Sequence, residues 1–77
     1  MAKHLFLAVI CRTLSCTTEC LVKYVGPYSG ESRFQHLAPE SFVYCCAECK
    51  RTHRYHREEV YPVLLDAAPS GGFENAF

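Results

Sequence analysis

The chain has 77 residues, of which 49% are hydrophobic and six are cysteines. This length allows one domain, and the apolar content excludes a disordered tail. Eight basic residues balance eight acidic ones, so the zero net charge excludes a global attraction to nucleic acid or to anionic membranes. A domain this small buries a modest core and commonly needs a metal, disulfides or a partner chain as well.

The first half of the chain predicts two strands joined by a turn that contains two cysteines. Residues 4–10 are apolar, and because their hydrophobicity does not alternate, we expect both faces of this strand to be covered. Residues 11–16 are mostly polar between their cysteines, which is typical of a turn. A second strand is predicted over residues 19–25, and Gly26 followed by Pro27 is expected to end it.

The second half predicts the same arrangement after a long loop. Residues 28–40 have the composition of a loop, in which Phe34 and Leu37 are spaced for one short amphipathic turn. A third strand is predicted over residues 41–45, and a second turn with two cysteines follows it directly. A fourth strand, polar but rich in tyrosine, histidine, arginine and valine, is predicted over residues 52–61.

These segments predict one small all-β domain over residues 1–65, built from two β-hairpins with about four antiparallel strands. Residues 66–77 contain proline, serine and glycine and are expected to form a flexible tail. The two phenylalanines of this tail, Phe73 and Phe77, are expected either to fray with it or to dock on a partner.

Two cysteine pairs with metal-ligand spacing lie in the two turns. Cys46 and Cys49 are separated by two residues, and Cys11 and Cys16 by four. Zinc prefers four tetrahedral ligands, and pairs with these spacings present two sulfurs to one point. The apolar run near the N-terminus is shorter than a secretory signal or a bilayer span, so we expect a reducing, cytoplasmic compartment, no membrane association and bound metal rather than disulfides.

The two pairs and their flanking strands resemble a zinc ribbon, the rubredoxin-like class of small zinc-binding β domains, over about residues 4–61. The resemblance implies that one structural zinc is bound by Cys11, Cys16, Cys46 and Cys49, with iron as a less favoured metal for four thiolates. Lys50 follows the second pair where a glycine is common in this class. It therefore requires a left-handed or adjusted backbone.

The two remaining cysteines, Cys20 and Cys45, are interpreted as small buried or half-buried apolar residues of the strands. One alternative is a different ligand set formed by Cys16, Cys20, Cys49 and His53. Another is a disulfide or redox switch between Cys20 and Cys45.

A basic cluster follows the second cysteine pair. On a strand it offers candidate contacts to nucleic acid: Lys50, Arg51, Arg54, Tyr55 and Arg57. Glu58 and Glu59 balance its charge, so we favour a solvated strand over a nucleic-acid interface.

We expect no enzymatic activity, because a small β domain has little room for a pocket and zinc with four thiolates leaves no position for substrate or water. The apolar residues outnumber what one small sheet hides, which predicts a protein partner or a homo-oligomer. The sequence therefore favours a non-enzymatic, zinc-binding interaction module. The alternatives are a nucleic-acid-binding accessory protein and a secreted, disulfide-stapled mini-protein.

Overall fold

The computed structural model describes residues 3–28, 30, 35–69, 71 and 73–77 of the chain. Within these ranges the protein forms two antiparallel sheets and two short 3-10 turns, which confirms the predicted small all-β fold. The strands are β1 (His4–Ile10), β2 (Glu19–Pro27), β3 (Ser41–Cys45), β4 (Thr52–His56) and β5 (Tyr61–Leu65). One sheet has the order β2-β1-β5, and the other pairs β3 with β4.

Strand β1 lies at the centre of the three-stranded sheet, and this position explains its unbroken apolar sequence. Its residues from Leu5 to Val9 are all buried. Leu7 and Val9 belong to the main core. Because side chains alternate between the two faces of a strand, Phe6 and Ala8 lie on the opposite face. The prediction that both faces of this strand are covered is therefore confirmed.

Strand β2 continues two residues beyond its predicted end. Gly26 and Pro27 pair with Leu5 and His4, and Gly26 adopts a φ of 139°, which glycine tolerates. Because β2 is an edge strand, the missing N–H of its terminal proline costs no hydrogen bond to a neighbour. Two irregularities in the pairing with β1 accommodate the greater length of β2.

The prediction of a single strand over residues 52–61 is wrong, because the chain turns after His56. The turn Arg57–Glu59 is closed by the Glu59 carboxylate, which accepts the backbone N–H of His56 at 2.6 Å. The chain then enters the other sheet as β5, a fifth strand that the sequence did not predict. Pro62 lies within β5 because an edge strand tolerates a residue without an N–H.

The loop between β2 and β3 contains the second 3-10 turn, Gln35–Leu37. Leu37 is partly buried against the core, as an amphipathic turn requires. Phe34, its predicted partner in that turn, lies outside the described residues.

The main core lies between the two sheets and includes cysteines from both. Its buried members are Leu7, Val9, Cys11, Cys20, Val22, Ala38, Phe42, Cys46, Tyr55 and Val60. Residues of the two sheets are thus in one apolar cluster, although no ladder of backbone hydrogen bonds joins β3 or β4 to the three-stranded sheet.

A polar contact also joins the two halves of the chain. Arg12, in the turn after β1, donates from Nε to Oε1 of Glu59 at 2.9 Å, and its second nitrogen contacts the other carboxylate oxygen. The same guanidinium lies 5.3 Å from the centre of the Tyr55 ring. Burial raises the pKa of Glu59, but hydrogen bonds from Arg12 and from the His56 N–H lower it, and its net pKa is below the usual value.

Residues 73–77, expected to belong to a flexible tail, lie against the folded body in this structure. Phe73 packs edge-on against Phe6 with ring centres 5.8 Å apart, and Phe77 packs against Phe42 at 4.9 Å. The backbone N–H of Ala76 donates to the carbonyl oxygen of Val22 at 2.7 Å.

A tyrosine links the two outer strands of the three-stranded sheet. The Tyr61 hydroxyl on β5 donates to Glu19 Oε2 on β2 at 2.7 Å, reaching across β1. Burial and this hydrogen bond to a carboxylate raise the pKa of Tyr61 to about 12. The folded state therefore retains this proton more tightly than the unfolded state, in which a tyrosine titrates near pH 10.

We predict that Tyr61→Phe lowers the free energy of unfolding by about 1 kcal/mol at pH 8, because the partly exposed hydrogen bond is lost. The difference between wild type and variant should shrink as the pH rises from 10 toward 12, since the stabilisation by Tyr61 disappears through its folded pKa. Denaturant unfolding at pH 8, 10 and 11 measures it. Tyr28→Phe, at a side chain that is 40% exposed, is the control and should show no such trend. If wild type and Tyr61→Phe differed in free energy of unfolding by the same amount at all three pH values, the raised pKa of Tyr61 would be contradicted.

Candidate metal centre

Four sulfur atoms from the two cysteine turns meet at one point. The ligand atoms of Cys11, Cys16, Cys46 and Cys49 all lie within 4.8 Å of one another. The closest approaches join one turn to the other: Sγ of Cys11 and Cys49 are 3.6 Å apart, and Sγ of Cys16 and Cys46 are 3.7 Å apart. Tetrahedral zinc with bonds of about 2.3 Å places its sulfurs about 3.8 Å apart. The geometry therefore fits a metal site with four thiolates.

Each of the four sulfurs also accepts a backbone N–H from the residue two positions further along the chain. Thr13 donates to Cys11, Thr18 to Cys16, Glu48 to Cys46 and Arg51 to Cys49. Hydrogen bonds to sulfur stabilise the thiolate and orient it toward the metal. The repetition of the same contact at all four ligands is a second feature that suits a thiolate site.

The two cysteine turns share one backbone design, so we call residues 11–16 the first knuckle and residues 46–49 the second knuckle. In the first, Thr17 N–H donates to the carbonyl of Thr13 at 3.3 Å; in the second, Lys50 N–H donates to that of Cys46 at 2.9 Å. Both donors directly follow the last cysteine of their knuckle. Residues 13–17 at the first knuckle thus have the same backbone hydrogen bond as residues 46–50 at the second. The first knuckle is longer by the two residues that precede Thr13.

The residue that ends each knuckle has a left-handed backbone. Lys50 has a φ of 62° and Thr17 a φ of 45°. The left-handed conformation expected of Lys50 is confirmed, and Thr17 adopts it as well. This region is unfavourable for residues with a Cβ, most of all for a β-branched one such as threonine. The knuckles therefore hold backbone strain that a glycine would remove.

The thiols differ in acidity in a way that pairs them across the two knuckles. Hydrogen bonds from Thr18 lower the pKa of Cys16. The backbone N–H of Thr13 acts to lower the pKa of Cys11, yet burial and the neighbouring Cys49 sulfur raise it overall. At Cys46 the backbone N–H of Cys49 likewise acts to lower the pKa. Burial and the neighbouring Cys16 sulfur outweigh it, so the pKa of Cys46 is raised. Each close sulfur pair thus combines a more acidic with a less acidic thiol, and metal binding displaces the protons that they hold.

The most acidic thiol, Cys49, contacts a hydroxyl that sequence reasoning missed. Thr13 Oγ1 lies 3.5 Å from Cys49 Sγ and 2.9 Å from Nε2 of His53. This hydrogen bond is the main cause that lowers the pKa of Cys49 to about 6. The hydroxyl can donate to the sulfur while it accepts the N–H of His53. A signal was present in the sequence, since Thr13 precedes Cys16 by the same three positions as Cys46 precedes Cys49.

The alternative ligand set is not brought together. Among the described residues, the cluster contains neither Cys20 nor His53. The thiol of Cys20 contacts the carbonyl oxygen of Thr18 at 3.6 Å, and the imidazole of His53 faces the hydroxyl of Thr13. Of the sequence predictions for these residues, burial of Cys20 is confirmed.

Cys45 is exposed, and this corrects its interpretation as a buried or half-buried residue of a strand. On β3 it shares the outward face with Val43, whereas Phe42 points into the core. All six cysteines are free thiols in the structure, and the pair Cys20–Cys45 forms no disulfide.

Two of the residues predicted as candidate nucleic-acid contacts are engaged inside the protein. Tyr55 is fully buried, so its ring is not available to stack on a base, and this candidate is wrong. Arg57 is half-buried and donates from Nε to the carbonyl oxygen of Ala38 at 2.8 Å. Lys50, Arg51 and Arg54 remain exposed.

The buried Tyr55 hydroxyl has no hydrogen-bond partner of good geometry. Burial raises its pKa, and the nearby groups are the backbone of Arg12 and the thiol of Cys11. A neutral hydroxyl is therefore placed beside a sulfur of the cluster, where a thiolate offers it an acceptor.

Comparison with family models, curated proteins and solved structures finds no match for this chain. Within the described ranges, no helix has the length and apolar character that a membrane crossing requires.

We predict that Lys50→Gly stabilises the metal-loaded protein by about 0.5–1 kcal/mol. Relief of left-handed strain is worth roughly 1–2 kcal/mol, and the added flexibility of glycine in the unfolded chain offsets about half of it. Thermal unfolding measures the change. Lys50→Ala is the control, because it removes the same charge but retains the Cβ, and it should not raise the melting temperature. A Lys50→Gly protein that melts no higher than Lys50→Ala would show that the strain is absent.

We also predict that Thr13→Val lowers metal affinity by about tenfold, because a hydrogen bond to a ligand sulfur is lost. Thr13→Ser retains the hydroxyl and should bind metal as the wild type does. Competition with a chromophoric chelator measures affinity, and the sulfur-to-cobalt charge-transfer band of the Co²⁺-loaded protein reports on the four ligand sulfurs together. Equal affinities for the valine and serine variants would remove any role for this hydroxyl.

Proposed function

We propose that this protein is a zinc-ribbon-like module that binds one structural zinc and serves, without enzymatic activity, as an interaction module for another protein. The observation that carries the proposal is the meeting of the sulfurs of Cys11, Cys16, Cys46 and Cys49 within 4.8 Å. Two pairs with close spacing, one on each hairpin, are the usual construction of structural zinc sites.

Zinc is the metal we favour over iron. Zinc is almost always tetrahedral in structural sites with four cysteines, and its filled d shell imposes no other geometry on the ligands that the protein supplies. Four thiolates also bind iron, which would give a coloured protein. Six reduced cysteines suit a reducing compartment, and we place the protein in the cytoplasm on that ground.

A structural role follows from the completeness of the ligand set. Four thiolates fill the coordination sphere of zinc, and no position is left for water or substrate. Two surface cavities of about 430 and 320 Å³ are both lined by other residues than the four ligands. These features support a module without catalysis.

Exposed apolar side chains support an interaction with protein. Leu14, at the tip of the first knuckle, is 97% exposed, and Ile10 next to this knuckle is 47% exposed. On the edge strand β5, Leu64 and Leu65 are also exposed. Large apolar groups held in water on a rigid turn and on a sheet edge are typical of contact surfaces.

We predict that the purified protein carries one zinc and unfolds when a strong chelator removes it. Binding free energies of structural zinc, about 10–16 kcal/mol, equal or exceed the stability of a small domain. Native mass spectrometry with and without chelator gives the metal count and the oligomeric state, and circular dichroism follows the fold. Cys46→Ser should lose the metal and the fold.

Cys45→Ser is the matched control, because it changes the adjacent, exposed thiol outside the cluster, and it should retain both metal and fold. A reduced, metal-free wild-type protein with dispersed, native-like amide resonances would refute the proposal. Metal analysis that finds iron instead of zinc would overturn the choice of metal alone.

A further inference from the structure

The last five residues of the chain, 73–77, which we call the C-terminal segment, lie along the outer edge of β2. The N–H of Ala76 donates to the carbonyl of Val22 at 2.7 Å, and the Asn75 side-chain oxygen accepts the N–H of Tyr24 at 2.9 Å. An edge strand presents unpaired backbone groups that bind extended segments. The C-terminal segment satisfies two of these groups on β2.

Two phenylalanines anchor the segment on different parts of the body. Phe73 contacts Phe6, which faces away from the main core, whereas Phe77 contacts Phe42, which belongs to it. The segment therefore passes over the edge of β2 with one aromatic ring on either side. Aromatic contacts of this kind contribute about 0.5–1.5 kcal/mol each beyond the area that they bury.

A lysine of β2 holds the second anchor at two points. Lys23 Nζ donates to the main-chain oxygen of Phe77 at 3.0 Å and lies 5.4 Å from the centre of the Phe77 ring. The contacts thus combine backbone pairing, two ring sites and a cation, which is the chemistry by which a sheet edge recognises a short peptide.

The C-terminal segment does not fill the space between β2 and β3, which we call the groove. A cavity of about 430 Å³ remains beside the segment, lined by Leu21 of β2 and by Val43, Tyr44 and Cys45 of β3. Phe73 and Phe77 themselves are only half-buried. A peptide with larger side chains would fill space that the C-terminal segment leaves open.

The described residues between β5 and the segment belong to neither sheet. Asp66, Pro69 and Gly71 lie outside the strands, and the Asp66 carboxylate pairs with Lys3 at the start of this connection. The contacts of the segment described above are separate from the pairing of β1 with β2 and with β5.

We propose that the outer edge of β2 is a docking site for an extended peptide of another protein that carries aromatic residues at positions i and i+4, and that residues 73–77 occupy this site in cis. The proposal deepens the interaction role and rests on the proposed function for its partner class. The C-terminal segment is the observed example of the ligand, and displacing it opens the groove.

The test uses the full-length protein as purified, with Phe73→Ala and Phe77→Ala combined to empty both ring sites. The probe is a fluorescein-labelled peptide with the sequence of residues 71–77, followed by fluorescence anisotropy. We expect saturable binding to the double variant and at least tenfold weaker binding to the wild type, whose own segment competes at a high effective concentration. A probe with alanine in place of both phenylalanines should not bind. Adding Lys23→Met to the double variant should weaken binding several-fold.

Native mass spectrometry of the same samples separates the two proposals. A double variant that retains its zinc and its circular dichroism spectrum but does not bind the probe overturns the docking site and leaves the zinc module intact. Equal binding to wild type and double variant also overturns it, because the site would then lie elsewhere. Absence of zinc with retained probe binding overturns the zinc module alone.

If the double variant fails to fold, the wild-type protein is titrated with excess unlabelled peptide and followed by ¹⁵N-edited NMR. The bound peptide reproduces the contact of the Tyr24 N–H, so the exchange is followed through Ala76, whose amide resonance should shift when its bond to the Val22 carbonyl is released. An Ala76 resonance that stays unchanged at millimolar peptide would overturn the docking site.

Discussion

The two sheets meet at two turns that bring four sulfur atoms together. Backbone hydrogen bonds hold each sheet together, but no strand pairing joins the β3–β4 hairpin to the three-stranded sheet. Cys11 and Cys16 come from one side, and Cys46 and Cys49 from the other, so a metal bound by all four would link the two sheets directly. The apolar cluster and the contact between Arg12 and Glu59 act across the same boundary, but a core of this size contributes little reserve of stability.

The two knuckles show how one backbone solution is used twice with different loop lengths. Each sulfur accepts an N–H from two residues further on, and each knuckle ends in a left-handed residue, Thr17 or Lys50. The longer first knuckle places Thr13 where the shorter one has the ligand Cys46. Its hydroxyl consequently points at the cluster, where it contacts a sulfur instead of a metal.

The edges of the three-stranded sheet are treated in two different ways. On β2 the C-terminal segment covers part of the edge, with Ala76 bonded to the Val22 carbonyl. On β5 a proline removes one donor, and exposed leucines remain beside it. Both devices discourage indiscriminate pairing with other strands. Only the covered edge combines backbone partners with aromatic sites, and it is there that a selective contact is chemically best supported.

The sequence by itself determined the strands β1 and β3 and the four cysteines of the cluster, because apolar runs and ligand spacing are local properties of the chain. It also indicated the left-handed backbone at Lys50. The tertiary structure decided the rest. Whether residues 57–65 continue β4 or cross to the other sheet depends on contacts such as that of the His56 N–H with Glu59, and burial of Tyr55 depends on Arg12 and Phe42, which are distant in sequence. The positions of Phe73 and Phe77 are likewise set by β1, β2 and β3, since a short segment without strand periodicity acquires its position only from the surfaces that it meets.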